Sequence, residues 1–216
     1  MANTIWLIIP QTNLHVGNES VVNFTVIDKA IQRDVTTGIP CINSSSLKGA
    51  IKEYMTHQKC ENIKEIFGST KEDRNDSQKG SAVFFDATLL AIPRQKTDGN
   101  SPYELVYSMK HVEDFVSKAK ALGIDINIET LKKNLGVESK DFNDLCSDDN
   151  LPIIARNCLE NGESTNLWYE QVLPSKSVLA TIIEGPEDLD NALNEKIVQI
   201  GANATIGYGY CKFIKL

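Results

Sequence analysis

Two almost continuously apolar stretches constrain the fold of this 216-residue chain more than any other feature. Residues 4–10 read TIWLIIP, and residues 81–93 read SAVFFDATLLAIP. Strands that are buried on both faces have this pattern, whereas a strand with one wet face alternates apolar and polar side chains. Both stretches are therefore predicted to be central strands of a sheet covered on both sides. Asp86 interrupts the second stretch and is expected to accept hydrogen bonds locally.

Helical patterns lie between the predicted strands. The first is marked by apolar residues three and four positions apart, with a serine among residues 44–46 as its cap. These apolar residues are Leu47, Ala50, Ile51, Tyr54 and Met55. A second helix is predicted to end at Gly123. A third is predicted to begin at Pro186 and to carry its apolar face as far as Ile200.

The remaining elements complete an α+β pattern. Residues 177–183 and 211–216 are predicted to be strands, and the apolar segments around residues 160–164 are predicted to form a hairpin. The order of strands and helices contains interrupted β-α-β units, which favours a ferredoxin-like fold. We expect one domain over residues 1–216, with a polar, helical insertion at about 94–150.

Composition narrows the functional classes. The net charge of −7 is atypical of a free nucleic-acid-binding protein. The charge is unevenly distributed, however: residues 138–150 carry a net −4 and residues 184–195 a net −5, so the rest of the chain carries +2. The five cysteines include no C-x-x-C pair, which predicts reduced thiols and no zinc site. No signal peptide or membrane span is indicated, so a cytoplasmic protein is expected.

The turn before the first helix has the chemistry of an anion site. Ser44, Ser45 and Ser46 supply hydroxyl and backbone N–H groups, and Lys48 adds a positive charge in the first turn. A helix N-terminus with these groups suits a phosphate. The alternative is an ordinary serine cap beside a solvated lysine.

A glycine-rich loop near the end of the chain is the second candidate binding element. Gly201, Gly207 and Gly209 would let the backbone approach a phosphate or a sugar closely, and Tyr208 and Tyr210 could stack on bases. The alternative is a β-turn with packed aromatic rings.

These two motifs, in this order, resemble the RNA-gripping elements of the RAMP superfamily of CRISPR effector proteins. The resemblance is strongest to the repeating backbone subunit of the type III-B (Cmr) complex. Further matching stretches occur in the family's order at residues 12–17, 26–34, 85–93, 167–174 and 199–201. The two motifs depart from the family pattern. Asn43 stands where the early motif usually has glycine, and residues 201–204, GANA, replace the usual Gly-Gly followed by a polar-acidic pair.

The resemblance implies that Asp28 is the catalytic carboxylate for RNA cleavage. Such a carboxylate would hold a divalent cation, Mg²⁺ or Mn²⁺, or its water at the scissile phosphate, and would help to activate the neighbouring 2′-OH. His15 matches a family histidine on the RNA-facing side. Arg33 is implied as a phosphate contact by its position, and Arg156 beside the hairpin could serve the same purpose.

The hairpin at about residues 153–173 corresponds to the family's thumb, which pushes through the guide–target duplex. Leu167, Trp168 and Tyr169 are interpreted as an apolar tip that could stack or pry, with Glu170 as a catalytic neighbour. The alternative places Trp168 in the core. The implied partners are guide RNA, complementary target RNA, further copies of the chain in a filament, and other Cmr-type subunits, with no membrane.

Three functions remain open. The first is a backbone subunit that binds guide RNA and cleaves target RNA with a metal ion. The second is a structural RNA-binding subunit without cleavage, in which Asp28 is incidental. The third is a metal-independent guide-processing endonuclease that uses His15 with a tyrosine or lysine.

Overall fold

The computed structural model of the protein describes residues 2–17, 27–69, 77–97 and 99–216. Val26, the first residue of the matching stretch 26–34, lies outside the described residues. The strands in the described part are β1 (Ala2–Pro10), β2 (Cys41–Ile42), β3 (Val83–Phe84), β4 (Ala87–Gln95), β5 (Tyr103–Tyr107), β6 (Val137–Glu138), β7 (Ile153–Glu160), β8 (Glu163–Gln171), β9 (Val178–Gly185), β10 (Ile197–Gln199) and β11 (Tyr210–Lys215). The helices are α1 (Ser44–His57), α2 (Ile63–Phe67), α3 (Met109–Ala121), α4 (Ile128–Lys132), α5 (Phe142–Leu145) and α6 (Glu187–Leu193).

One mixed sheet organises the described part of the chain. Its main path runs β10-β11-β1-β9-β4-β5-β6, and the two-residue strands β2 and β3 pair with β4 and β9. The four central strands, β11-β1-β9-β4, are antiparallel to their neighbours. With α1 between β1 and β4, and α6 between β9 and β11, this order is consistent with the predicted ferredoxin-like arrangement.

Strand β1 explains why the fold needs a nearly continuous apolar run. Trp6 and Ile8 point into the core cluster that also holds side chains of α1 and α6, while Ile5 and Leu7 point into a second cluster on the opposite face. All four are at most 3% exposed. Because both faces of the sheet are covered, alternation of apolar and polar side chains is absent, as the sequence predicted.

The helices cover the two faces of the sheet. Helix α1 buries Leu47, Ile51 and Met55 on one face, and α3 buries Val112 and Phe115 on the other. Residues 94–150, which were predicted to be an insertion, contain β5. This strand pairs with β4, so part of the predicted insertion extends the sheet. No helix in the described ranges is long and apolar enough to cross a membrane.

Two predicted elements are corrected by the structure. Residues 81–93 form two strands rather than one, because residues 85–86 interrupt the strand. Asp86 turns outward there and accepts the N–H of Ser44 at 2.6 Å. The last helix ends at Leu193 instead of continuing to Ile200. Ile197 lies in β10 and is 51% exposed, so its helical spacing from Leu193 was accidental.

The predicted hairpin is confirmed as a separate two-stranded sheet of β7 and β8. Its two-residue loop is Asn161-Gly162, with φ of +52° and +87° at these residues. Both values suit the type I′ turn that joins twisted antiparallel strands. Most of β7 and the first half of β8 are exposed.

Candidate nucleic-acid interface

Asp28 lies on a loop segment that runs along the inner half of β8. The backbone N–H groups of Asp28 and Lys29 both donate to the carbonyl oxygen of Tyr169 at 3.1 Å, and the N–H of Gln171 donates to the carbonyl of Lys29 at 2.9 Å. The Asp28 carboxylate in turn accepts the N–H of Tyr169 through Oδ2 at 2.8 Å. The segment therefore behaves as a short added strand, and the carboxylate is held in place while its residue stays exposed.

Glu170 follows Tyr169 in β8 and is 1% exposed. Its Oε1 accepts from Lys29 Nζ at 3.3 Å and from Trp168 Nε1 at 3.5 Å, and its Oε2 accepts from Asn203 Nδ2 at 2.9 Å. Arg156 NH1 lies 3.6 Å from Oε2. Burial alone would raise the pKa of Glu170, but Lys29, His15 and Trp168 lower it below the ordinary value. The side chain is thus an internal anchor for three segments.

His15 is buried rather than facing the surface. It is 3% exposed, and its Nδ1 lies 2.7 Å from the carbonyl oxygen of Gln171. A carbonyl only accepts, so Nδ1 carries the hydrogen and donates. A Cβ added at Gly17 would meet Nε2 at 3.2 Å, so the other ring nitrogen faces backbone. This geometry supports a structural role and gives no support to catalysis by His15.

The early motif begins α1, but the cap differs from the predicted one. Asn43 is the N-cap residue without a side-chain capping bond, and the N–H of Ser44 is taken by the carboxylate of Asp86. Ser45 is exposed, and Ser46 Oγ accepts from Gln32 Nε2 at 3.1 Å. Asp86 does accept a hydrogen bond, as predicted, but its partner lies 42 positions away in the chain and not locally. A phosphate at this terminus would therefore lie next to a carboxylate.

Lys48 and Arg33 have different surroundings. Lys48 is half-buried in the first turn of α1. Arg33 is tied to the protein itself: NH1 donates to the carbonyl oxygens of Gly38 and Cys146 at 2.7 Å, and Nε donates to Asp148 at 3.0 Å. These contacts give Arg33 a structural role, and they lend no support to the predicted phosphate contact.

Packing inside the protein requires two of the three glycines predicted in the late loop. Gly201 and Gly209 have φ of +81° and +77°, and an added Cβ would collide with the carbonyl oxygens of His15 and Ile200. Gly207 also has a positive φ, of +85°, but a Cβ there would meet nothing within 4 Å. Gly207 is thus the glycine of this loop at which the backbone is open to a ligand.

The aromatic residues lie near the base of the hairpin and not at its tip. The tip is formed by Glu160, Asn161, Gly162 and Glu163. The expected apolar tip of Leu167, Trp168 and Tyr169 is therefore wrong. Trp168 and Tyr169 are half-buried beside the Asp28 segment. Leu167 is 54% exposed, midway along β8.

Two cations cover aromatic rings at this base. Lys29 Nζ lies 5.1 Å from the centroid of the Trp168 ring, and the Arg156 guanidinium lies 5.7 Å from that of Tyr208. Both distances are within the range of a cation–π contact. Trp168 thus belongs to the surface around Asp28 rather than to the core, and Arg156 ties the hairpin to the late loop.

The described side chains alone would not enclose a divalent cation. In the part of the chain that the structure describes, no cluster of three or more histidine, cysteine, aspartate or glutamate side chains could hold a metal ion. Mg²⁺ is often bound through one or two carboxylates together with substrate phosphates and waters. Asp28 fits that limited role, because Oδ2 accepts the Tyr169 N–H while Oδ1 has no hydrogen-bond partner among the described residues.

Sequence reasoning proposed Asp28 as a site residue but did not predict the side chains that surround its segment, Lys29, Gln171 and Asn203. Gln171 is fully buried, accepts the N–H of Ile31 at 3.3 Å and donates to Asp148 at 3.0 Å. A polar pair, Glu170-Gln171, next to the apolar residues 172–173 was the available signal, since polar side chains that are buried need specific partners. Their partners are distant in sequence and could not be read from it.

The fold is an α+β fold whose strand order is consistent with a ferredoxin-like arrangement. In the site, strand β8 both forms one side of the exposed hairpin and binds the loop segment that carries the Asp28 carboxylate. The chain belongs to the RAMP superfamily, whose family pattern matches residues 8–212. This confirms the family that the two motifs suggested.

Similar proteins agree with this assignment. The chain is 25% identical to the CRISPR system Cmr endoribonuclease Cmr4 of Pyrococcus furiosus, over 87% of each chain. It is 37% identical to the CMR subunit Cmr4 of Saccharolobus solfataricus over 38% of this chain and 26% of that one. A chain of the cryo-EM structure of type III-B Cmr-beta bound to cognate target RNA superposes with a TM-score of 0.80 at 19% identity, covering 100% of this chain and 97% of that one.

The crystal structure of oligomeric Cmr4 from Pyrococcus furiosus has a TM-score of 0.69 at 19% identity, covering 100% of this chain and 98% of that one. Both solved structures are less than 25% identical to this chain, so they support the fold alone, and they confirm its α+β class.

Proposed function

We propose that this protein is the repeating backbone subunit of a type III CRISPR effector complex, where it binds guide RNA and cleaves complementary target RNA. The observation that carries the proposal is the Asp28 carboxylate, which β8 holds through the Tyr169 N–H while its other oxygen has no partner in the part of the chain that the structure describes. Membership of the RAMP superfamily and the similarity to Cmr4 proteins support the assignment. Partners of the chain would be copies of itself in a filament and other Cmr-type subunits, in the cytoplasm.

The proposed chemistry is transesterification within the target RNA. The 2′-OH next to the scissile bond loses its proton and attacks phosphorus, the bond to the 5′-oxygen breaks, and that oxygen takes up a proton. The products are a 2′,3′-cyclic phosphate and a 5′-OH end. Asp28 would hold the attacking region in place and assist proton removal. A bound Mg²⁺ or Mn²⁺ would stabilise charge on the phosphate oxygens.

The test is cleavage of a guide-complementary RNA by the reconstituted complex, with and without Mg²⁺ or Mn²⁺. Two substitutions separate the functions of Asp28. In Asp28→Asn an amide oxygen can still accept the Tyr169 N–H but the charge is lost, whereas Asp28→Ala loses both. We expect both variants to bind guide RNA and to lose cleavage. Asp34→Asn is the matched control, because Asp34 accepts from Thr36 and Thr37 in its own turn.

Each other outcome selects a different conclusion. Cleavage that survives in Asp28→Asn and fails only in Asp28→Ala would mean that Asp28 only supports β8. Target binding without any cleavage by the wild-type complex would favour the structural subunit. Cleavage without a divalent ion would favour the metal-independent nuclease, although the buried position of His15 gives that function no support.

A further inference from the structure

The buried carboxylate of Glu170 is shared by two cations that come from different parts of the chain. Lys29 belongs to the Asp28 segment and contacts Oε1, whereas Arg156 belongs to β7 and lies near Oε2. The Glu170 side chain is 1% exposed, but the side chains of Lys29 and Arg156 are 52% and 22% exposed. The anion is therefore inside and the cations reach the surface.

Lys29, Arg156 and Glu170 together carry one net positive charge, before the neighbouring Asp28 is counted. A buried carboxylate is costly unless it is paired and hydrogen-bonded, and one cation would suffice for the pairing. Two cations on one carboxylate leave an excess of one positive charge. Each cation is also held over an aromatic ring, Trp168 for Lys29 and Tyr208 for Arg156, which restricts its orientation.

The excess positive charge lies next to Asp28. Lys29 follows Asp28 directly in the chain, and Glu170 follows Tyr169, whose N–H is bonded to the Asp28 carboxylate. An RNA phosphate that approaches Asp28 would be repelled by that carboxylate alone. Fixed cations at its side would offset the repulsion, and they would cost little reorganisation because they are already oriented.

We propose that Lys29 and Arg156 form a phosphate-binding pair beside Asp28, and that Glu170 is the positioning residue that orients both. The proposal rests on the function proposed above and adds a role for Lys29 and Glu170 in the same site. Glu170 acts through the two cations and not on RNA directly, because its side chain is buried.

The experiment uses the guide-loaded complex and three substitutions, Glu170→Gln, Lys29→Ala and Arg156→Ala. Glu113→Gln on α3 is the matched control, because Glu113 is exposed and its neutralisation changes the net charge equally. Two quantities are measured: the single-turnover cleavage rate at saturating target RNA, and the dependence of target-RNA binding on salt concentration. Thermal unfolding of each variant verifies that it is folded.

We expect Glu170→Gln to lower the cleavage rate at least fivefold, although it removes a negative charge near RNA. If Glu170 acted only by repelling RNA, its neutralisation would leave RNA binding equal or make it stronger. Glu113→Gln, which removes the same charge elsewhere, should show that result. Lys29→Ala and Arg156→Ala should each reduce the slope of log affinity against log salt by about 0.7–0.9, the value for one lost phosphate contact. In the Lys29→Ala/Arg156→Ala background, Glu170→Gln should change the rate by less than twofold.

Two results would overturn the positioning role of Glu170 and leave the proposed function intact. One is a wild-type cleavage rate in Glu170→Gln. The other is an equally large effect of Glu170→Gln when Lys29 and Arg156 are already alanine. If Glu170→Gln fails to fold, the two cation variants decide: unchanged salt slopes in both would overturn the phosphate-binding pair. If the wild-type complex never cleaves, the proposed function fails, and the salt slopes still decide the pair.

Discussion

The late glycine loop allows a quantitative test of whether its glycines serve packing or ligand contact. Gly207→Ala and Gly209→Ala make the same chemical change two residues apart, both at positive φ. An alanine in the left-handed region costs about 1–2 kcal/mol. Replacing glycine also restricts the unfolded chain, which offsets about 0.4–1 kcal/mol. We therefore expect Gly207→Ala to lower the free energy of unfolding by about 1 kcal/mol.

Gly209→Ala carries a second cost. Its Cβ would collide with the carbonyl oxygen of Ile200, and the backbone there is tied on both sides. The N–H of Ile200 donates to the carbonyl of Gly209 at 2.8 Å, and the N–H of Gly209 donates to the carbonyl of Asn13 at 2.9 Å. Relieving the collision breaks at least one of these bonds, and a buried group left unpaired costs about 1–3 kcal/mol. The expected total is about 3 kcal/mol.

Urea unfolding of the two variants, followed by circular dichroism, measures both values. We expect equal m-values and a lower midpoint for Gly209→Ala. Free energies of unfolding that agree within 0.5 kcal/mol would contradict the reasoning from packing. RNA binding gives the complementary result: Gly207→Ala should be the variant that folds well yet weakens guide-RNA binding, because the backbone of Gly207 is open.

Two further predictions concern single carboxylates. Asp86→Asn should tighten guide-RNA binding by the complex, because it removes a negative charge beside the Ser44 N–H. The same change should lower the free energy of unfolding by about 0.3–1 kcal/mol, because that charge stabilises the N-terminus of α1. Weaker RNA binding would contradict a phosphate site at α1. Burial would raise the pKa of Asp34, but hydrogen bonds from Thr37 and Thr36 bring it below the ordinary 3.8. The Asp34 carboxylate therefore stabilises the folded protein above pH 3.8, and this contribution is lost as the pH falls through the lower pKa of the folded state. Acid unfolding should accordingly be less steep in Asp34→Asn than in the wild type, and identical acid curves would refute this.

The elements that the sequence predicted well are those whose signal is local. Helix α1 shows its apolar spacing within its own 14 residues, and β1 shows burial on both faces within nine. Gly123 marks the end of α3 with a φ of +80°, a conformation that glycine adopts readily. In each case the neighbours in sequence carry the physical cause, so no knowledge of distant contacts was needed.

The errors arose where a distant partner decides the structure. The break at Asp86 depends on the N–H of Ser44, and the end of α6 depends on Ile197 pairing with Lys212 of β11. Periodicity alone could not separate a helical continuation at Ile197 from a strand, because one apolar residue fits both patterns. Tertiary pairing made the choice.

The candidate site shows the same division. The two motifs were identified from their residues and Asp28 by resemblance. The partners of His15 and Arg33 were not predicted, because both bind backbone carbonyls, which any sequence provides, and Arg33 also binds Asp148, which lies 115 positions away in the chain. Gly201 is similar, since its requirement comes from the carbonyl of His15, some 186 positions away in the chain. A glycine pattern therefore indicates a constrained backbone without saying whether protein or ligand imposes the constraint.

Strand β8 links the hairpin to the catalytic candidate through backbone contacts. Its outer half pairs with β7 and is exposed, and its inner end holds the Asp28 segment through the N–H and C=O groups of Tyr169. Because these bonds involve main-chain atoms of β8, side chains along the exposed hairpin can change without moving Asp28. Glu170 and Gln171 differ, since their buried side chains hold Lys29, Ile31 and Asn203. Substitutions at these two residues should thus disturb the site far more than substitutions at the tip, although both lie on one strand.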